Sequence, residues 1–239
     1  GLTLIGLSVC LEKDKAAYIR ISGGLKEEDF IPEFRDVFED DSVKKYGHDV
    51  KSLYKYFKTK GIRIKGVSFD TMLAGYIINP SKPAYTVSEL AAEYLGIRIK
   101  PIEELLGKGK NSRTYGELPF EELSRVSAGH VAAIFGMRGE LERIIAENGQ
   151  EELYYNIELP LVEVLADMEF WGFKVNIEAL EKLSAEFEEK IEQAEKEIYD
   201  LAGEKFNINS PKQLGAILFE KLGLPVLKKT KTGYSTDAE

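Results

Sequence analysis

At 239 residues with 44% hydrophobic composition, the chain is long enough for one or two domains built around a buried core. Lys+Arg 32 against Asp+Glu 41 give a net charge of -9, which argues against a generally polyanion-binding surface and confines any nucleic-acid contact to a local basic patch. The single cysteine, Cys10, excludes an internal disulfide and suits a reducing cytoplasm, and no apolar run reaches the ~18 residues of a membrane span. Gly1-Leu2-Thr3-Leu4-Ile5-Gly6 has no starting Met and reads directly as strand, so the chain is expected to begin inside a larger protein.

Residues 1–150 alternate between strand and helix signals. Residues 2–11 and 16–21 are β-type runs, and Glu12-Lys13-Asp14-Lys15 between them reads as a hairpin turn. Phe30, Ile31, Phe34, Val37 and Phe38 recur at helical spacing over residues 27–38. A short strand at 44–46 leads to a helix over 50–59, for which Asp49 is the predicted N-cap. Residues 62–69 alternate as a strand, and Asp70 is predicted to cap the helix that carries Met72, Leu73, Tyr76 and Ile77. Short helices are expected at 87–95 and 101–106, then a basic loop at 107–113, then a long helix over 120–146. An opening hairpin followed by alternating helices and strands predicts a mixed α/β sheet flanked by helices.

From residue 151 onward the strand signals nearly vanish. Helices are predicted over 159–170 and 177–201, the second with Leu180, Leu183, Phe187, Ile191, Ala194 and Ile198 on one face and Glu and Lys on the other. Ser210-Pro211-Lys212-Gln213 is a helix start: Ser at the N-cap, Pro at the first helical position, and Gln placed to reach back to the cap's amide. That helix is expected to run to about residue 222. Asn148-Gly149-Gln150 interrupts two helical patterns, so a boundary is expected there, between residues 1–150 and 151–239.

Several ordered blocks carry a resemblance. They are Glu158-Leu159-Pro160-Leu161-Val162, Met168-Glu169-Phe170-Trp171-Gly172-Phe173-Lys174-Val175, Phe206-Asn207-Ile208-Asn209-Ser210-Pro211-Lys212-Gln213-Leu214, Ile217-Leu218-Phe219-Glu220-Lys221-Leu222-Gly223-Leu224-Pro225 and Lys228-Lys229-Thr230-Lys231-Thr232-Gly233-Tyr234-Ser235-Thr236. Together they resemble the start of the thumb in bacterial family-A DNA polymerases. Ile5-Gly6-Leu7-Ser8, Ala17-Tyr18-Ile19, the run from Phe69-Asp70-Thr71 to Ile77, and Leu90-Ala91 resemble the 3′–5′ exonuclease domain that precedes that thumb. The resemblance implies an RNase H-like α/β domain over 1–150 and an all-α thumb segment over 151–239, ending before the palm.

Active relatives hold two metal ions on four carboxylates, since hard divalent cations need oxygen ligands. The first motif, Asp-x-Glu, would lie on a strand just before the segment that residues 1–8 resemble. Aligned on the second motif, Gly47-His48-Asp49-Val50-Lys51-Ser52-Leu53 puts Leu53 at a metal-ligand position. Aligned on the third, Tyr-x-x-x-Asp, the best segment puts Ser124 and Ala128 at the two functional positions, and residues 124–138 hold no Asp or Glu. The resemblance therefore implies a proofreading site without its ligands, with no catalytic or metal residue in this chain. Asp70 and Asp49 read as helix caps, and His48 and His130, with no cysteine or acidic cluster at ligand spacing, read as ordinary histidines.

Between residues 205 and 232 six lysines stand against one acid, Glu220, reversing the sign of the chain. Lys212, Lys228, Lys229, Thr230, Lys231, Thr232 and Ser235 are the candidate DNA-binding residues, offering ammonium groups and hydroxyls to phosphates without reading bases. The implied partners are a primer–template duplex and the rest of the polymerase domain, palm and fingers, with no membrane. The chain itself is expected to need no cofactor, the intact polymerase Mg²⁺, and the location is expected to be cytoplasmic. A stand-alone 3′–5′ exonuclease and a helical interaction module using residues 177–201 are the alternatives.

Overall fold

The first two apolar runs form a hairpin: β1 (Gly6–Glu12) and β2 (Lys15–Arg20) pair antiparallel from Gly6↔Arg20 to Glu12↔Lys15, with an irregularity between Cys10 and Glu12. This computed structural model describes residues 3–13, 15–22, 24–107, 109, 112–226, 228–230 and 233–236. The amphipathic α1 (Glu27–Glu39) buries Phe30 and Ile31, as their spacing predicts. β3 (Lys45–Gly47) precedes α2 (Val50–Thr59) and pairs in parallel with β4 (Val67–Asp70).

The strand predicted over 62–69 survives only from Val67 onward. Ile62 and Ile64 are buried as the alternation requires, but the Lys65 amide donates to the Phe38 carbonyl at 2.9 Å. Gly66 then turns with φ +68°, where a Cβ would lie 2.6 Å from the Val43 carbonyl oxygen, so only glycine fits. The mixed sheet expected from sequence is likewise divided among the described residues. Among the described residues β1–β2 and β3–β4 are separate two-stranded sheets, one antiparallel and one parallel.

Helices cover these strands. α3 (Thr71–Ile78), α4 (Val87–Tyr94) and α6 (Phe120–Glu147) enclose a core that includes Phe69, Ala74, Leu90, Met137, Leu141, Ile145 and Tyr154. In α6, Leu123, Val126, Ala133, Met137, Leu141 and Ile145 recur every three to four residues or at multiples of that spacing, which makes a continuous buried stripe. The short α5 (Glu103–Leu106) packs Leu105 with Leu118 and Leu123 in a smaller cluster.

Gly149 (φ +67°) ends α6, and the chain resumes as a wide helical turn over Leu153–Glu158 that runs into α7 (Leu159–Trp171). The ladder widens just ahead of Pro160, which has no N–H to give the carbonyl four residues back. α7 packs on α2. Lys51 and Lys55 reach Glu169 at 2.7 and 2.6 Å, Lys58 pairs with Asp167, and Arg63 meets Glu163 at 3.1 Å. These pairs lie on the surface, where solvent screening leaves each a minor contributor to stability beside the apolar packing.

The chain forms two compact units, Gly1–Gly172 and Phe173–Glu239, so α7 packs within the first. In the second, α8 (Ile177–Ala202) starts at Asn176, whose side chain accepts from the Ala179 amide at 3.0 Å, and stops at left-handed Gly203. Ser210 caps α9 (Pro211–Gly215) through the Gln213 amide, and the helix continues as a wide turn over Ala216–Lys221. The Gln213 side chain does not close the predicted capping box; its oxygen accepts from the Asn207 amide at 2.8 Å instead. The second unit also departs from the expected all-α class, because β5 (Lys229–Thr230) and β6 (Gly233–Tyr234) form a short antiparallel hairpin where a loop was predicted.

Tyr154 ties the segment after α6 to the end of β4: its hydroxyl accepts from the Asp70 amide at 2.8 Å and donates to the Asp70 carbonyl at 3.0 Å. Replacing it by Phe removes both bonds at a buried position, so Tyr154→Phe should destabilise by about 1–3 kcal/mol. Urea denaturation should show a lower midpoint with an unchanged slope, whereas an unchanged midpoint would mean that the pair contributes nothing.

Candidate functional site

The site implied for proofreading lies where β3 and β4 end side by side, Gly47 opposite Asp70. Parallel strands deliver their last residues to helix starts here: β3 leads to α2 and β4 to α3. Asp70 is 1% exposed, and its carboxylate accepts from four amides. Val50 and Met72 donate at 2.8 Å, Asp49 at 3.2 Å and Leu73 at 3.3 Å. The side chain therefore caps its own helix, as predicted, and also the start of α2. Burial pushes its carboxyl above the usual range, against the four amides, which favour the charged form.

Asp49 corrects the sequence reading. Its side chain makes no cap bond to α2; its backbone is left-handed at φ 55°, and its carboxylate accepts from the Ser52 hydroxyl. An Asp tolerates that conformation better than most residues, and the turn hands the capping role to Asp70.

His48 and His130 do not converge on a common ligand. His48 Nδ1 lies 2.9 Å from the Thr71 hydroxyl, which donates in turn to the Gly47 carbonyl at 3.3 Å. With that hydroxyl donating, its lone pair accepts from Nδ1–H, which places the proton of the neutral ring on Nδ1. Burial lowers the His48 pKa to about 4, the nearby Asp49 opposing and His130 adding to the effect. His130 Nε2 is bonded to the Lys100 carbonyl at 2.8 Å.

The positions aligned with metal ligands carry no oxygen that could serve. Leu53 projects from α2 and is 38% exposed; Ala128 lies in α6, and the Ser124 hydroxyl donates to the Glu121 carbonyl at 3.3 Å. Among the described residues no three His, Cys, Asp or Glu side chains gather so as to hold a metal ion. The residues present thus do not fit the two-metal centre of the active relatives, and no metal-dependent step can be derived from them.

The basic segment is organised around one aromatic contact. Tyr234 of β6 stacks against Phe219 with ring centroids 5.0 Å apart and lies against Gly215 of α9. The Ser235 amide donates to the Lys228 carbonyl at 3.1 Å, closing the base of the hairpin. Lys228 is exposed, Lys229 and Thr230 lie on β5, and Ser235 is half-buried; exposed Lys212 sits in the first turn of α9, which packs on β6. Lys231 and Thr232 lie outside the described residues. Of the neighbouring lysines, Lys221 is paired with Glu204 at 2.6 Å.

Two groups of residues escaped the sequence reading. Tyr154 gave no signal, because its partner is main chain 84 positions away. Lys51, Lys55 and Lys58 share one helix face by spacing, which carries no sign of their acidic partners on α7. Lys58 Nζ also stands 5.0 Å from the Phe170 ring and 5.5 Å from that of Trp171.

Comparisons with known proteins agree on one lineage. Residues 3–134 match the family model "DNA polymerase I, ribonuclease H-like domain", and residues 177–239 match "DNA polymerase family A". DNA polymerase I of Bacillus subtilis is 42% identical over 208 residues, 86% of this chain and 23% of the relative. DNA polymerase I of Geobacillus stearothermophilus is 39% identical over 236 residues, 99% of this chain and 26% of the relative. The chain thus spans about a quarter of the length of these relatives. Among solved structures, the POL domain of Pol1 from M. smegmatis, in complex with DNA primer-template and dNTP, superposes with a TM-score of 0.73 at 29% identity. That match covers 98% of this chain and 37% of the other.

The neutral, buried His48 generates a pH prediction. Its folded pKa of about 4 lies below the unfolded value of 6.5, so between these values the unfolded chain binds more protons. Stability should fall as pH drops from about 6.5 to 4, by on the order of 3 kcal/mol from this group. Denaturant titrations of His48→Gln should show a flatter profile across that window; a slope equal to that of the unaltered chain would assign the effect to other groups.

Proposed function

Because the chain belongs to the bacterial DNA polymerase I family of family A DNA polymerases, we propose that it is the portion of such an enzyme that scaffolds and grips DNA rather than reacting with it. What supports this reading is Leu53 and Ala128 at the positions that the resemblance aligns with metal ligands, together with an Asp70 engaged by four backbone amides. Residues 1–150 then act as a vestigial 3′–5′ exonuclease domain and residues 151–239 as the start of the thumb. In the intact protein the activity is template-directed nucleotidyl transfer in DNA replication and repair, in the cytoplasm, with Mg²⁺ held by a palm outside this chain. The chain alone neither polymerises nor degrades DNA.

The lysine-bearing hairpin is the proposed contact with primer–template duplex. Lys212, Lys228, Lys229 and Lys231 supply charge, and Thr230, Thr232 and Ser235 supply hydroxyls to phosphate oxygens. The duplex in the M. smegmatis Pol1 complex supports a nucleic-acid partner for this family. A helical interaction module remains the second reading, favoured by one observation: Leu180, Leu183, Phe187 and Ile191 form an exposed stripe on α8. A tight dimer in sedimentation would speak for it.

Replacing Lys228, Lys229 and Lys231 together by Ala in the intact polymerase should weaken duplex binding equally for unrelated sequences. The slope of log K against log salt should fall by roughly 2.7, about 0.9 for each phosphate left without its lysine. Unchanged affinity and slope would leave the hairpin as solvated surface.

A further inference from the structure

At the far end of β4 from Asp70, a cleft of about 450 Å³ opens between the stretch that leads into β4 and the start of α7. Tyr54 of α2, Arg63, Ile64 and Lys65 line one side, and Tyr155 and Glu163 the other. The acids in it are already committed. Glu163 accepts from Arg63 Nε at 3.2 Å and pairs with a terminal guanidinium nitrogen at 3.1 Å, while Asp41 favours the charged form of the neighbouring Lys45. What remains unengaged is a set of donors. Among the described residues the Lys65 ammonium and the Tyr54 and Tyr155 hydroxyls have no hydrogen-bond partner. Burial and the Glu163 carboxylate push the Tyr54 pKa up to about 12, so its hydroxyl keeps its proton at neutral pH.

The main chain adds a fourth donor. Ile62 and Ile64 are buried and Arg63 and Lys65 exposed, the alternation of an extended stretch. The Arg63 amide donates to the Glu39 carboxylate at 3.3 Å and the Lys65 amide to the Phe38 carbonyl at 2.9 Å, both at the end of α1. The Ile64 amide between them therefore points the other way, and among the described residues it has no acceptor, although Ile64 is only 4% exposed. A buried amide is almost always paired with protein, water or ligand. We propose that this cleft binds a phosphate group, free or carried by a small monoester, with the Lys65 ammonium, the Ile64 amide and the Tyr54 and Tyr155 hydroxyls as its donors. A phosphate offers three strong acceptor oxygens, which suits donors arriving from α2, from the stretch before β4 and from the turn before α7. Its charge answers the unpaired ammonium, and charge-assisted bonds are the stronger kind. Leu159 and Pro160, on the same wall, give the body of an ester an apolar surface.

Titration of the chain with inorganic phosphate and with dAMP, followed by amide NMR at about 0.1 M salt to screen exposed charges, tests the site. The Ile64 and Lys65 amides should shift saturably, Ile64 downfield as its N–H gains an acceptor. Lys65→Ala should weaken binding at least about tenfold, because a hydrogen bond to a charged group is lost. Lys65 is exposed, so the melting temperature of that variant should be unchanged. Lys13→Ala removes the same charge from the exposed turn after β1 and should leave binding as it was. Tighter binding of dAMP would identify an ester as the ligand and equal binding the free anion, both of which keep the phosphate site. A silent Ile64 amide, an equal loss in Lys13→Ala, or the same shifts with adenosine, which has no phosphate, would overturn it.

Discussion

The first unit depends on one buried carboxylate. Asp70 ends β4, starts α3, and closes the amino end of α2 through the Asp49 and Val50 amides. Burying a charged group is costly unless its hydrogen bonds are replaced, and here four amides at two helix starts replace them, where the helix dipoles also favour negative charge. Tyr154 then fixes the same residue's own amide and carbonyl. One residue thereby links a sheet end, two helices and the segment that follows α6. An oxygen so fully engaged is a poor donor to a metal ion.

Where one element sufficed to define its own pattern, the sequence was legible. The buried stripe of α6 and the spacing in α1 and α8 needed only a 3.6-residue period, and the Asp70 and Ser210 caps needed only the residues that follow them. The errors arose where a distant group competed. Asp49 is a sound N-cap by composition, but its carboxylate takes the Ser52 hydroxyl, and Asp70 reaches the Asp49 and Val50 amides from the neighbouring strand. Gln213 had the right spacing for a capping box and bonded Asn207 instead. Ile62 and Ile64 alternate like a strand, yet the left-handed turn at Gly66 and the bond from Lys65 to Phe38 draw that stretch out of any ladder. For Leu53 and Ala128 residue type alone decides: no geometry makes either side chain a metal ligand.

Charge is used differently in the two units. In the first, Lys51 and Lys55 converge on Glu169, whose pKa they hold down at about 2, so these cations are neutralised within the fold. In the second, Tyr234 against Phe219 holds a hairpin on which Lys228 stands exposed. An acidic chain can therefore offer a local positive surface, provided the lysines are carried by an element whose own packing is apolar.

The central claim is that this domain retains the frame of a nuclease without its metal centre. Manganese titration of the intact protein, followed by electron paramagnetic resonance with the palm carboxylates replaced, addresses it directly. The account predicts no Mn²⁺ site in the exonuclease-type domain, and Asp70→Asn should lower stability without altering bound manganese. A pair of coupled Mn²⁺ ions lost on Asp70→Asn would contradict it.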